Sequence, residues 1–498
     1  MNLRVRDLSI CTGSISIAIL NTADAAKLDL HYADRILIRK GSAKIVASID
    51  ITTTSEFVLP GEIGLFEEVY KKLAAKDGDI VEVHLAEKPK SLVFIRQKLM
   101  GERLSPEQMK CIVDDIANDR LTDIEITYFV AACSTQELDS NEIVSLAKAM
   151  VNTGKVLKLK SKIVADKHCI GGVAANRTTM VVVPIVAAAG LTIPKTSSRA
   201  ITSAAGTADT VEVLCDVTLS LEKMKQVVEE HGGCLVWGGS MDLAPADDKI
   251  IRVEHPLSLD PIGQLVASIL SKKKAVGATH VLVDIPVGRG TKAGTRSKAL
   301  VLKRKFEKVS KALNMKIKVV ITDGSQPIGN GVGPALEARD VLWTLQNSKH
   351  SALDLKEKAI FMAGEMLDLT GRTRKGNGHR LARQLLENGT AYLKFIDILR
   401  AQGAKVIYPE QIELAAFSED YKAISGGRVI HVDNGHINKI ARIAGSPLDY
   451  KAGLYLHVHK GANVKKGQKL LTVYSDSKEK LDFAITACKS LMPVTVSR

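Results

Sequence analysis

Three separated stretches of this chain hold residue types that do chemistry on anions. The first is DKHCIGGVAANRTTM, from Asp166 to Met180, where a Lys-His pair ends a strand-like run and two glycines let the backbone come close to a ligand. Lys167 and His168 fall at the carboxyl end of that strand, and Asn176 to Thr179 open a helix whose free N–H groups favour negative charge. The second is KTSSRAITSAAGTADTVE, from Lys195 to Glu212, which gathers Ser197, Ser198, Thr202, Ser203, Thr207 and Thr210 around Arg199 among residues too small to fill a core. One helix end consumes one or two hydroxyls as caps, so this many, with a guanidinium, point to recognition of a phosphate or polyol. The third is HPLSLDPIGQLVASILSKK, where Ser268 and Lys272, four residues apart, share one edge of a helix and can hold a polar heterocycle. Asp260 before Pro261 reads as an N-cap with proline at the first helical position, and a capping carboxylate is favoured ionised, which opposes a role as proton donor unless burial or bound phosphate raises its pKa.

The elements that must position these residues form several units, because 498 residues exceed one ordinary core. Residues 1–86 alternate short β-branched runs and turns, which predicts a β-rich domain; SISIAIL within it has the period of a half-buried strand. Residues 89–155 carry helical periodicity, with Ser105 as an N-cap and Gly154 as a stop, and define a helical domain completed by about 244–276. Residues 156–410, less that insertion, alternate strand and helix and predict an α/β phosphate-binding domain with a mixed sheet. Residues 411–498 read as a C-terminal α+β domain, hammerhead-like, without the Met-Lys turn of a lipoyl or biotinyl carrier. The expected fold class is multidomain α/β.

A net charge of +14 raises nucleic acid, an anionic membrane or a phosphate-bearing substrate as partners. The lysines stand in scattered pairs with no sustained basic tract and aromatics are 4% of the chain, which favours small anions over nucleic acid. A nucleic-acid protein of this charge would bind long DNA or RNA with a steep salt dependence. Seven cysteines without a Cys-x-x-Cys pair or zinc spacing suggest reduced thiols in the cytoplasm and no metal site. The longest apolar run, from Met180, is too short to span a bilayer. GNGVGPALEARD and GRGTKAGT fit neither a dinucleotide loop nor a P-loop.

With these motifs in view, the chain resembles the thymidine phosphorylase family, in particular the long branch that includes AMP phosphorylases. TSSRAITSAAGTADTVE looks like the family signature, DKHCIGG like its phosphate loop and ASILSKK like its base-contacting helix, in family order. The resemblance implies a helical and an α/β domain with the active site in the cleft between them, and at least a homodimer. It places Lys167, Thr178, Ser197 and Thr207 on phosphate-contacting positions. Arg252, Ser268 and Lys272 fall near the base. Gly172, Ser198, Arg199, Ala200, Ile201, Thr202, Ser203, Thr207, Ser268 and Lys292 fall on nucleotide-contacting positions of the AMP branch, with Asp260 as proton donor and His168 as its alternative. The implied reaction is phosphorolysis of a nucleoside 5′-monophosphate, AMP first and then CMP or UMP, giving free base and ribose 1,5-bisphosphate. The alternative is cleavage of thymidine to thymine and 2-deoxyribose 1-phosphate. Either needs inorganic phosphate as co-substrate and no other cofactor. Cys169, where short thymidine phosphorylases have serine, and Lys292 tilt the expectation towards the nucleotide.

Overall fold

The computed structural model describes residues 1–13, 16–200, 203–257 and 259–497. The chain divides into two compact units, Met1–Gln136 and Glu137–Arg498.

The first unit begins with a closed barrel whose strands run in the order Asn2–Asp7, Glu62–Leu65, Ile17–Asn21, Ala43–Thr52, Arg35–Lys40, Ile80–Leu85. Alternate residues such as Leu3 and Val5, Ile36 and Ile38, and Val81 and Val83 point inward and form one apolar core. Three helices follow, Ser91–Leu99, Pro106–Ala117 and Asp123–Thr135. Two of their starts are fixed locally: Ser105 and Gln108 form a reciprocal capping box, as do Thr122 and Glu125.

The second unit opens with the helix Ser140–Thr153, capped by Asp139 and Glu142. The division at Gln136 therefore cuts through the helical segment 89–155, and this last helix packs along Ile262–Ala275 instead. In the α/β region, Ala165–Cys169 and Lys316–Asp323 flank His280–Val287, all parallel, and Ile193–Ser197 lies parallel to Gly233–Trp237. The isolated bridge between Val164 and Thr192 is parallel too. The expectation of a mixed sheet here is corrected: helical crossovers separate these strands, and such connections return the chain in the same direction. Within this unit, antiparallel pairing involves the end of the chain. There Gly331–Val332, Gly453–Leu456, Lys469–Ser475 and Phe417–Lys422 form one sheet, and Asn463–Val464, Gly427–Val432 and Val494–Ser497 another. The helices Asn434–Ala444 and Lys478–Leu491 bury their apolar faces in the same core.

The helix Thr178–Ala188 is buried along nearly its whole length, Pro184 included. A helix that is apolar all round belongs inside a large core, where it fixes the strand ends on either side. Among the described residues no helix is long and apolar enough to cross a membrane.

Candidate active site

Parallel pairing brings Lys167, His168 and Cys169 beside Leu282, Val283 and Asp284, so the Lys-His pair sits where the strand feeds its loop. Lys167 is buried and its Nζ donates to Thr179 Oγ1 at 3.2 Å. Burial lowers its pKa against the pull of Cys169 and Asp284. Beneath the loop, Asp166 is fully buried with Lys273 at 2.8 Å and Lys195 at 3.9 Å. Lys195 and Lys273 thus share this layer, and burial followed by Lys273 brings Lys195 down to about 7.

That layer decides the state of His168. Burial, then Lys273, Lys195, Lys167 and Lys292, hold its imidazole well below 6.5. In the unliganded site the protonated form of His168 is therefore disfavoured.

The two glycines of the loop do different work. At Gly172, with φ +89°, an added Cβ would lie 2.5 Å from Thr291 Cα and 2.9 Å from Lys292 N. The close approach expected there is thus made to the segment carrying Lys292. Gly171, with φ +98°, faces open space and is the one free to admit a ligand. Thr178 begins the following helix, and its hydroxyl donates to Asn176 Oδ1 at 2.6 Å.

The second stretch is held from inside. Arg177 is buried in an ion pair with buried Glu337, donates to Thr207 Oγ1 at 3.0 Å and to the Ala205 carbonyl at 2.7 Å. Thr210 donates to the same carboxylate at 2.9 Å. Ser197 ends its strand with a buried Oγ that has no hydrogen-bond partner among the described residues. Ser198 is exposed, and Ser203 Oγ donates to the Ala205 carbonyl at 2.8 Å. Ile201 and Thr202 lie outside the described residues.

Arg199 pairs with Glu212 at 2.8 Å and Asp209 at 3.2 Å and stacks over Trp237 at 4.9 Å. Its charge is already satisfied, first of all by Glu212, and its pKa is raised accordingly. The Ala200 amide is likewise committed, to Asp209 Oδ2 at 2.7 Å.

On the third stretch, Ser268 and Lys272 do share an edge, and that edge meets a carboxylate. Ser268 Oγ donates to Asp247 Oδ2 at 2.8 Å, and Lys272 Nζ lies 2.8 Å from Asp247 and 3.1 Å from Asp248. Burial works against the Lys272 ammonium, but the two aspartates outweigh it and hold its pKa above the ordinary range. Asp260 is not a cap. The helix runs from Ile262 with Pro261 at the N-cap, and Asp260 is ion-paired with Lys292. Arg252 stands exposed on the acidic helix Pro245–Glu254, about 140° around its axis from Asp247 by the 3.6-residue turn, and so on another face. Glu254, seven residues after Asp247, shares its face instead.

The residues that the motifs did not reveal come mostly from far along the chain. Asn434 accepts from the Ala174 amide at 2.9 Å and donates to the Gly324 carbonyl at 3.0 Å. Asn438 accepts from the Ala204 amide at 3.1 Å, and Arg442 reaches the Ser203 carbonyl at 3.5 Å. These three recur every four residues, so one face of the helix Asn434–Ala444 braces both loops.

Known proteins are similar to this chain along most of its length. Residues 93–154 match the model of the glycosyl transferase family helical bundle domain, 161–392 that of its a/b domain, and 429–495 the pyrimidine nucleoside phosphorylase C-terminal domain. A Pyrococcus furiosus protein named AMP phosphorylase is 44% identical over 99% of this chain and 97% of its own length. The chain belongs to the thymidine phosphorylase and AMP phosphorylase family. A Legionella pneumophila (strain Corby) relative, provisionally named a thymidine phosphorylase, is 47% identical over 90% of this chain and 86% of its own. Anthranilate phosphoribosyltransferase from Thermus thermophilus shares the fold at 19% identity, with a TM-score of 0.52 over 62% of this chain and 98% of its own. The Lys-His loop, the hydroxyl loop and the Ser/Lys helix of this family member all lie within the unit Glu137–Arg498.

Proposed function

We propose that this enzyme cleaves the N-glycosidic bond of a nucleoside 5′-monophosphate, AMP first, with inorganic phosphate as co-substrate, giving free base and ribose 1,5-bisphosphate. The observation that carries this reading is the ion pair of Lys292 with Asp260, close enough to His168 for the lysine's charge to act on the imidazole. It supplies a cation for a second phosphate next to a carboxyl suited to the leaving base. Full-length similarity to proteins named AMP phosphorylase supports the same choice.

In this reading Lys167, Thr178, Ser197 and Thr207 hold inorganic phosphate, with Arg177 orienting Thr207. Ser268 and Lys272, set by Asp247, contact the base, and Lys292 takes the 5′-phosphate. Phosphate oxygen bonds to the anomeric carbon as the carbon–nitrogen bond breaks, through a transition state with oxocarbenium character. The chain's task is to place the two reactants and neutralise charge on both sides of that carbon. Asp260, a carboxylate while it pairs with Lys292, takes up a proton once the 5′-phosphate has drawn Lys292 away and delivers it to the base. A positioned acid contributes roughly 10²- to 10⁴-fold.

The test is base release from AMP, CMP, UMP, thymidine and uridine, each with and without phosphate. Phosphate-dependent release from AMP, reduced at least a hundredfold by Asp260→Asn, is the expected result. Release from thymidine alone would replace this reading with a pyrimidine nucleoside phosphorylase.

A further inference from the structure

Four carboxyl groups and two ammonium groups meet between the acidic helix Pro245–Glu254, the helix Ile262–Ala275 and the turn that carries Lys292. Lys272 is taken by Asp247 and Asp248, and Lys292 by Asp260. Glu254 is the carboxyl left over: its Oε1 is buried and has no hydrogen-bond partner among the described residues. Asp247, almost wholly buried on the same helix face, also keeps one oxygen, Oδ1, without a partner and shut off from water. An unpaired carboxyl in such surroundings keeps its proton, because ionising it would add a buried charge with no counter-ion.

The groups that act on Glu254 come from each neighbouring element: Asp247 from its own helix, Asp260 from the turn that follows, Lys272 from the adjacent helix and Lys292 from the strand loop. His255, next in the chain, is exposed. Burial first, then Asp247 and Asp260, push the Glu254 carboxyl up to about 8.

We propose that Glu254 is the proton reserve of the active site, passing its proton to Asp260 as Asp260 protonates the departing base. This rests on the phosphorolysis reading above. The electron pair of the broken carbon–nitrogen bond stays on the base, which is protonated on a ring nitrogen by Asp260. Asp260 holds no proton while it pairs with Lys292 and receives the one it passes on from the Glu254 carboxyl. Glu254 then recovers a proton from water, balanced by the one that hydrogen phosphate loses on becoming an ester. The arrangement resolves a conflict: Asp260, facing Lys292, is poised to act on the nucleotide, and Glu254, facing carboxylates, is poised to hold the proton.

The experiment is single-turnover base release from AMP and phosphate between pH 6 and 9.5, for wild type, Glu254→Gln and Glu254→Asp. Wild type is expected to lose rate about tenfold per pH unit above roughly pH 8, where the acid is no longer protonated. E254Q is expected to be at least tenfold slower at pH 7, to lack that alkaline limb, and to keep its KM for phosphate within twofold. E254D is expected to regain part of the rate and the limb. An E254Q enzyme within threefold of wild type that retains the limb would overturn the proposal. So would a flat wild-type profile from pH 7 to 9, a result that needs no variant to fold. If wild type leaves AMP intact but cleaves thymidine, the substrate reading fails and the same series on thymidine decides the role of Glu254; cleavage of neither ends both.

Discussion

Arg177 and Glu337 lie 160 residues apart in sequence and join as a buried pair that also takes in Thr207 and Thr210. Replacing Glu337 with alanine leaves the guanidinium buried without its counter-charge, a change that typically costs about 3–5 kcal/mol. Urea denaturation of Glu337→Ala should show a loss of that size, together with a higher KM for phosphate because Thr207 is no longer held. A loss below about 1 kcal/mol would mean that the carbonyls around Arg177 suffice. In the sequence Thr207 is visible and its support is hidden. Arg199 misleads for the opposite reason. Asp209 and Glu212 stand in the same quoted stretch, yet only the folded chain shows them, with Trp237, occupying its guanidinium. Asp247 and Glu254 look like solvated acids of an amphipathic helix until the neighbouring helix is laid against them.

At the level of elements, the two anion loops depend on backbone that is pressed against backbone. Gly172 leaves no room for a side chain because Thr291 and Lys292 lie against it, and its φ is positive. Gly172→Ala is therefore expected to displace the segment 290–292 and to raise KM for the nucleotide about tenfold, a loss on the order of 1.4 kcal/mol in binding. The effect on KM for phosphate should be smaller, read from initial rates at saturating co-substrate. Equal effects on both would show that the loop moved as a whole. Helix starts were legible wherever a cap sits beside the helix, as at Ser105, because the hydrogen bonds are made within three residues. Asp260 misleads for the same reason: Asp-Pro is a start signal, but the side chain chose Lys292 over the helix end. The bracing face of Asn434, Asn438 and Arg442 could not be read at all, since its targets lie more than a hundred residues away.

For the molecule as a whole, the alternation of strand and helix made the α/β organisation legible, and the direction of pairing was not. Scattered lysines pointed to small anions, and two of them, Lys195 and Lys273, are buried around Asp166. The consequence is thermodynamic. Holding Lys195 at about 7, against an ordinary 10.5, means that the folded chain binds fewer protons there than the unfolded chain between those two values. The penalty this group places on folding is therefore absent above 10.5, grows as pH falls, and is complete below about 7. In the phosphorolysis reading proposed above, inorganic phosphate binds the native state and not the unfolded one. At a hundred times its dissociation constant a ligand of that kind adds about 2.7 kcal/mol. The melting temperature should accordingly rise with phosphate, and rise more at pH 6.5 than at pH 8.5, while chloride at equal ionic strength leaves it unchanged; a co-substrate would then double as a folding ligand, and its supply would set how long the enzyme lasts as well as how fast it works.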